Sequence, residues 1–247
     1  MEKNTVFKLE VIAFDIESCE IAEQCGVSRI ELCDNQADGG TTPSYGLIQL
    51  AREKVTCDLF PIIRPRSGDF LYTDDEFEIM KTNIKISKQL GCDGIVTGIL
   101  KSDGSVDKER MKVLVNLAYP MSVTFHRAFD RTNDALTALE DIIEIGCDRI
   151  LTSGQKPTAM EGIDLIATLV NQADHRIIIM PGSGIKSENI IEIAQKTKAQ
   201  EFHSSARSFV HTKMEYHQES MNESLKQVQI NEKEVLDLLS NLASIES

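Results

Sequence analysis

The chain has 247 residues, room for one large α/β domain, and 41% of them are hydrophobic, enough for a sizeable core. A net charge of -13 argues against nucleic acid or an anionic membrane as the main partner, although a local arginine pocket can still take a small anion. Six cysteines without C-x-x-C spacing fit free thiols in a cytoplasmic protein, and the N-terminus "MEKNTVFKLEVIAFD" shows neither a secretory pattern nor a spanning apolar run.

Short apolar runs alternate with amphipathic stretches along most of the chain. Strands are expected at "FKLEVIAFD", "RIELCDN", "DLFPIIRPR", "GIVTGIL", "SVTFHRAFD", "RILTSG", "RIIIMPGSG" and "EFHSSAR". Helical patterns such as "DDEFEIMKTNIKISKQLG" and "DALTALEDIIEIG" fall between them. This alternation predicts a parallel, eight-stranded (β/α)8 barrel, a single domain over 1–247 with the barrel itself at about 6–207. An open doubly wound sheet is the competitor, but no G-x-G-x-x-G follows the first strand. The recurring "LGCDGIV" and "IGCDRIL" end a helix on glycine, turn through Cys-Asp and enter a strand. They place Cys92 and Cys147, with Cys25 in a looser version, at the stability face of the barrel. Beyond Arg207, "SFVHTKMEYHQESMNESLKQVQ" lacks a period and reads as an irregular arm. "NEKEVLDLLSNLAS" reads as a closing helix capped by Asn231, so that 208–247 is arm plus helix.

Strand side chains alternate between faces. If Ile30, Leu32, Ile63 and Phe202 face the helices, then Glu10, Arg29, Glu31, Cys33, Arg64, Arg66, Thr124, His126, Glu201, His203 and Ser205 face the interior. Parallel strands deliver their C-terminal ends to one rim, where barrels do chemistry. Glu10 and Glu31 are candidate proton acceptors there, His126 and His203 acid/base partners, and Arg64 with Arg127 an anion clamp. Arg64 is expected to pair with a glutamate, because a lone buried guanidinium is strongly penalised. Anion binding is also expected at Gly182, Ser183 and Gly184 of "MPGSGIKSEN", with Ser187 as a helix cap, and at Ser205 of "HSSARS".

At "RIELCDNQADGGTTPSYGLI", "PIIRPRSGDFLYTDDEFEIMK", "VTFHRAFD", "ILTSGQKPTAMEG" and "IIIMPGSGI…EFHSSAR" the sequence resembles the CutC family, named for copper homeostasis. The resemblance implies a TIM barrel, a cytoplasmic setting and copper handling, with Cu(I) binding attributed to some members. The family's recurrent polar set stands here as Glu10, Glu31, Cys33, Arg64, His126, Arg127 and His203. Cu(I) prefers two or more sulfur ligands. By alternation only Cys33 faces the mouth, so a copper site there uses Cys33 with His126, His203 or Met180. His211, Met214, His217 and Met221 of the arm are a second thioether and imidazole set. Two functions follow: a copper-binding homeostasis protein, and a metal-independent enzyme acting on a small phosphorylated or carboxylated compound. Assembly with further copies of the chain stays open.

Overall fold

The computed structural model describes residues 7–222 and 224–246. Eight strands enter in order: β1 (Lys8–Ala13), β2 (Arg29–Leu32), β3 (Asp58–Pro61), β4 (Gly94–Thr97), β5 (Ser122–Phe125), β6 (Arg149–Thr152), β7 (Ile178–Pro181) and β8 (Glu201–Ser204). The first seven are each followed by a helix: α1 (Ile16–Cys25), α2 (Tyr45–Lys54), α3 (Asp74–Gln89), α4 (Lys108–Ala118), α5 (Ala135–Ile145), α6 (Ile163–Ala173) and α7 (Ile190–Thr197). The strands form two four-stranded sheets, ordered β3-β2-β1-β8 and β4-β5-β6-β7, and every ladder within them is parallel. A parallel bridge from Ile62 to Val96 joins the two sheets at β3 and β4.

The local chemistry explains the boundaries. Asp15 caps α1, accepting from the Ser18 N–H at 2.6 Å, and Thr73 with Glu76 forms a reciprocal capping box on α3. The Gly-Cys-Asp turns do more than turn. Asp93 accepts from the Leu59 N–H at 2.9 Å, and Asp148 accepts from the Val123 N–H at 2.7 Å. Each aspartate thus ties the start of its strand to the strand before it, satisfying a donor that the ladder leaves over. Outward strand residues such as Leu9, Val11, Ile30, Leu59, Ile95, Val123, Ile150 and Phe202 are buried against the helices.

Two expectations are corrected here. The arm is not irregular at its base: β9 (Arg207–Val210) and β10 (Gln227–Ile230) form an antiparallel ladder. Val228 and Ile230 are the buried alternate residues of that ladder, but a four-residue strand gives too short a pattern to separate from loop. Ser187 does not cap α7. Its N–H and hydroxyl both bond to Glu234 of α8 (Glu232–Glu246), at 2.7 and 2.9 Å. Asn231 does cap α8, accepting from the Glu234 N–H at 3.2 Å, and this helix packs on α1 and α7.

Candidate active site

Strand register builds the interior in two layers. In the lower one Glu10 stands beside Arg29 on β2 and His203 on β8, its partners in both ladders. Arg29 pairs with Glu10 and, at 2.6 Å, with Glu201; Arg149 pairs with Glu201 at 3.1 Å. Phe60 lies against both guanidiniums, with ring centre distances of 5.0 and 5.5 Å. Two arginines and two carboxylates leave this dry layer without net charge, which is the condition for burying such groups. Burial alone raises the Glu10 carboxyl, but Arg29 and His203 outweigh it and hold it down at about 2.

Above this layer a cavity of about 110 Å³ opens between the strand ends. Its polar wall is Glu31, Arg64, His126, Arg127 and His203; Phe70, Ile12, Gly39, Ile62 and Leu151 complete it. Of the inward positions expected to converge here, Glu31, Arg64, His126 and His203 line the cavity and Cys33 does not; Arg127, from the turn after β5, joins them. His203 links the layers: its Nδ1 meets Glu10 Oε1 at 2.7 Å, and its Nε2 lies 3.8 Å from Glu31 Oε2. Burial pushes Glu31 up to about 7, against the pull of His203. For His203, burial opposes the charged ring, but the Glu10 hydrogen bond and the Glu31 charge raise its pKa. Glu31 and His203 thus face one another as an acid/base pair, both shifted upward by their surroundings.

His126 occupies the opposite wall. Its Nδ1 accepts from the Ala128 N–H at 3.2 Å, and burial with the Arg64 charge pushes the ring down to about 3. Phe70, from the loop before α3, packs against His126 with ring centres 4.8 Å apart and planes tilted by 54°, and lies under the Arg64 guanidinium at 5.2 Å. Residue patterns did not mark Phe70, because it sits on a loop with no periodicity. Gly98 makes room for the histidine: a Cβ there would lie 2.7 Å from His126 Nδ1.

The expected Arg64–glutamate pair is absent among the described residues. Arg64 instead donates to the carbonyls of Asp38, Gly40 and Gly68 at 2.8 to 3.0 Å. The loop after β2 supplies two of these oxygens and the loop after β3 the third, and no strand pattern foretells either. Arg127 stands at the mouth, held by Asp130 at 2.9 Å and Ser153 at 2.8 Å. Arg66 turns away to Glu76 and Asp69. Gly182 packs against His203, whereas Ser183 donates to the Pro157 carbonyl at 2.8 Å. Ser183, Gly184 and Ser205 lie beyond the cavity wall.

Cys33 is fully buried in a small cluster with Phe60, Ile62 and Val96. Burial pushes its thiol well up, and the neighbouring Glu31 charge adds to this. One protonated thiol beside carboxylates and imidazole does not fit soft Cu(I), which takes thiolate and thioether sets. The nearest oxygen and nitrogen set is Glu10, Glu31 and His203, with ligand atoms within 4.8 Å of one another. Cys92 and Cys147 precede β4 and β6, at the far ends of their strands from this rim.

Fold and site together define a parallel α/β protein with a small, buried, charged pocket at the carboxyl ends of its strands. The CutC family model matches residues 7–208, and the chain belongs to the CutC family. A CutC family protein of Parabacteroides distasonis is 51% identical over 214 residues, covering 86% of this chain and 88% of the relative. The mouse copper homeostasis protein cutC homolog is 46% identical over 215 residues, covering 87% of this chain and 79% of its own length. Among solved structures, CutC from Streptococcus agalactiae superposes with a TM-score of 0.77 at 35% identity, covering 81% of this chain and 99% of that one.

Proposed function

We propose that this chain serves copper homeostasis, the role for which its mammalian relatives are named, and that its working site is an acid/base pocket for a small anionic molecule. The observation that carries the mode of action is the facing of Glu31 and His203 across a cavity whose other wall holds Arg64 and His126. Glu31 takes a proton from the bound molecule, His203 balances the charge, and Glu10 orients the His203 ring. The two sheets act as halves of one (β/α)8 barrel, which brings these groups to a single rim. The six free thiols suit the reducing cytoplasm, and among the described residues no helix is long and apolar enough to cross a membrane.

Proton transfer is tested by following solvent deuterium uptake into a panel of small carboxylated and phosphorylated carbonyl compounds by proton NMR. Wild type exchanges at least one compound, and Glu31→Gln exchanges it at least 100-fold more slowly, at the lower end of about 10²–10⁴ for acid/base groups. No exchange across the panel by wild type overturns the acid/base reading.

The spacing of Glu10, Glu31 and His203 favours a second reading, in which these oxygens and one nitrogen take a divalent copper ion as cargo. Equilibrium dialysis with Cu(II) and with Cu(I) separates the alternatives. This reading expects stoichiometric Cu(II) that is lost in His203→Ala and kept in Cys33→Ser. Cu(I) bound through Cys33 reverses that assignment.

A further inference from the structure

We infer that the Arg64–His126 wall of this pocket is a built subsite for a small 2-oxo carboxylate, with Arg64 as counter-ion to the carboxylate and His126 as hydrogen-bond donor to the keto oxygen. The inference rests on the acid/base reading of the same pocket and names its ligand class.

His126 carries the first part of the argument. Its ring is 4% exposed, and Nδ1 is committed as an acceptor from the Ala128 N–H. A neutral imidazole with an acceptor Nδ1 has its proton on Nε2. That Nε2 is buried without a hydrogen-bond partner among the described residues, in a side chain that lines the cavity. A buried donor left unmade is expensive, about 1–3 kcal/mol, and such groups ask for a partner. The cavity offers the place for that partner. Burial keeps the ring neutral, so it donates without giving its proton away, which suits an oxygen where negative charge develops.

Arg64 carries the second part. It is 6% exposed, donates to carbonyl oxygens, and makes no ion pair with a carboxylate among the described residues. Its Nε is also without a partner. The carboxylates of the lower ionic layer are already taken by Arg29 and Arg149, so the Arg64 guanidinium stands at the cavity without an ion pair of its own. Phe70, packed against both groups, holds the guanidinium and the imidazole on one wall. A cationic fork beside a neutral donor matches a carboxylate next to a carbonyl.

Size narrows the class. A cavity of about 110 Å³ is small beside the roughly 300–1,000 Å³ of ordinary ligand pockets and favours a molecule of a few carbons. The step is an enolisation. The C–H bond beside the keto group breaks and its proton goes to Glu31. Its electron pair forms a C=C bond, and the carbonyl π pair moves to the oxygen held by His126. Return of a proton from Glu31 to carbon restores the keto acid.

Oxalate, a planar mimic of the enolate, is titrated calorimetrically into the metal-free full-length chain, with pyruvate and inorganic phosphate as comparison probes. Oxalate and pyruvate bind wild type, and Arg64→Met and His126→Phe each weaken oxalate at least tenfold. The ¹⁵N resonance of His126 shows the Nε2–H tautomer and moves on oxalate addition, a reading in wild type that does not depend on any variant folding. Absence of oxalate binding, equal binding by both variants, an unmoved His126 resonance, or phosphate binding tighter than oxalate overturns the inference. Oxalate binding without deuterium exchange leaves the subsite standing and removes the proton-transfer reading. Exchange confined to phosphorylated compounds does the reverse.

Discussion

At the scale of single residues, the pocket sets two histidines and a glutamate to different tasks by environment alone. Glu31 goes from its usual 4.5 in the unfolded chain to about 7 when folded. Between those values the folded state holds more protons, so its contribution to stability falls as pH rises from 4.5 to 7. His126 has the opposite sign. Its pKa drops from 6.5 to about 3, so the unfolded chain protonates first and stability is lost as pH falls from 6.5 towards 3. Urea melts across pH 4.5–7 should therefore show Glu31→Gln losing the decline on the rising side. His126→Phe should lose the decline on the falling side. Parallel curves for wild type and both variants would mean that these side chains are solvated.

At the scale of elements, short strands work because each is tied in at its start. Asp93 and Asp148 bind the N–H groups that open β3 and β5, and glycines leave space where large inner side chains cross. Gly94 faces the Phe60 ring and Gly98 the His126 ring; a Cβ at either would fall within 3.0 Å of ring atoms. Gly98→Ala should push His126 out of its contact with Phe70. The expected result is at least tenfold weaker oxalate binding, with a melting midpoint that falls by only a few degrees. Calorimetry beside a thermal melt reads both, and unchanged binding would show that the ring yields without leaving the pocket. The capping box on α3 is more modest: Thr73→Ala should cost about 1 kcal/mol in a urea melt.

At the scale of the whole molecule, the lower ionic layer joins the two sheets. Glu10, Arg29 and Glu201 belong to β1, β2 and β8, whereas Arg149 comes from β6 of the other sheet. The Arg149–Glu201 contact therefore spans the interior. Removing one member of a buried ionic set leaves its partners charged and dry, at about 3–5 kcal/mol. Arg29→Met, which leaves Glu10 with His203 alone and Glu201 with Arg149 alone, should destabilise the chain by about that amount in urea denaturation. A loss below about 1 kcal/mol would mean that water reaches the layer, as for an exposed pair.

Much of this was legible without coordinates. Alternation along a strand is a local property with a period of two, so parity alone sends Glu10, Glu31, His126 and His203 inward and gathers their strand ends at one rim. The Gly-Cys-Asp turns, which enter β4 and β6 at their amino ends, keep Cys92 and Cys147 away from Cys33. What parity cannot supply is depth and partnership. Register between strands distant in sequence sets Glu10 between Arg29 and His203, and Cys33 is buried in an apolar cluster outside the cavity wall. Loop conformation decides the rest. The segments after β2 and β3 give Arg64 its carbonyl oxygens in place of the expected glutamate, the loop before α3 delivers Phe70, and the turn after β5 fixes the His126 tautomer. These are contacts between segments far apart in the chain or held by irregular backbone, where no period exists to read. The set of groups at the rim was written in the sequence; which of them are paired, which are left free, and so what chemistry they can do, was decided by the tertiary structure.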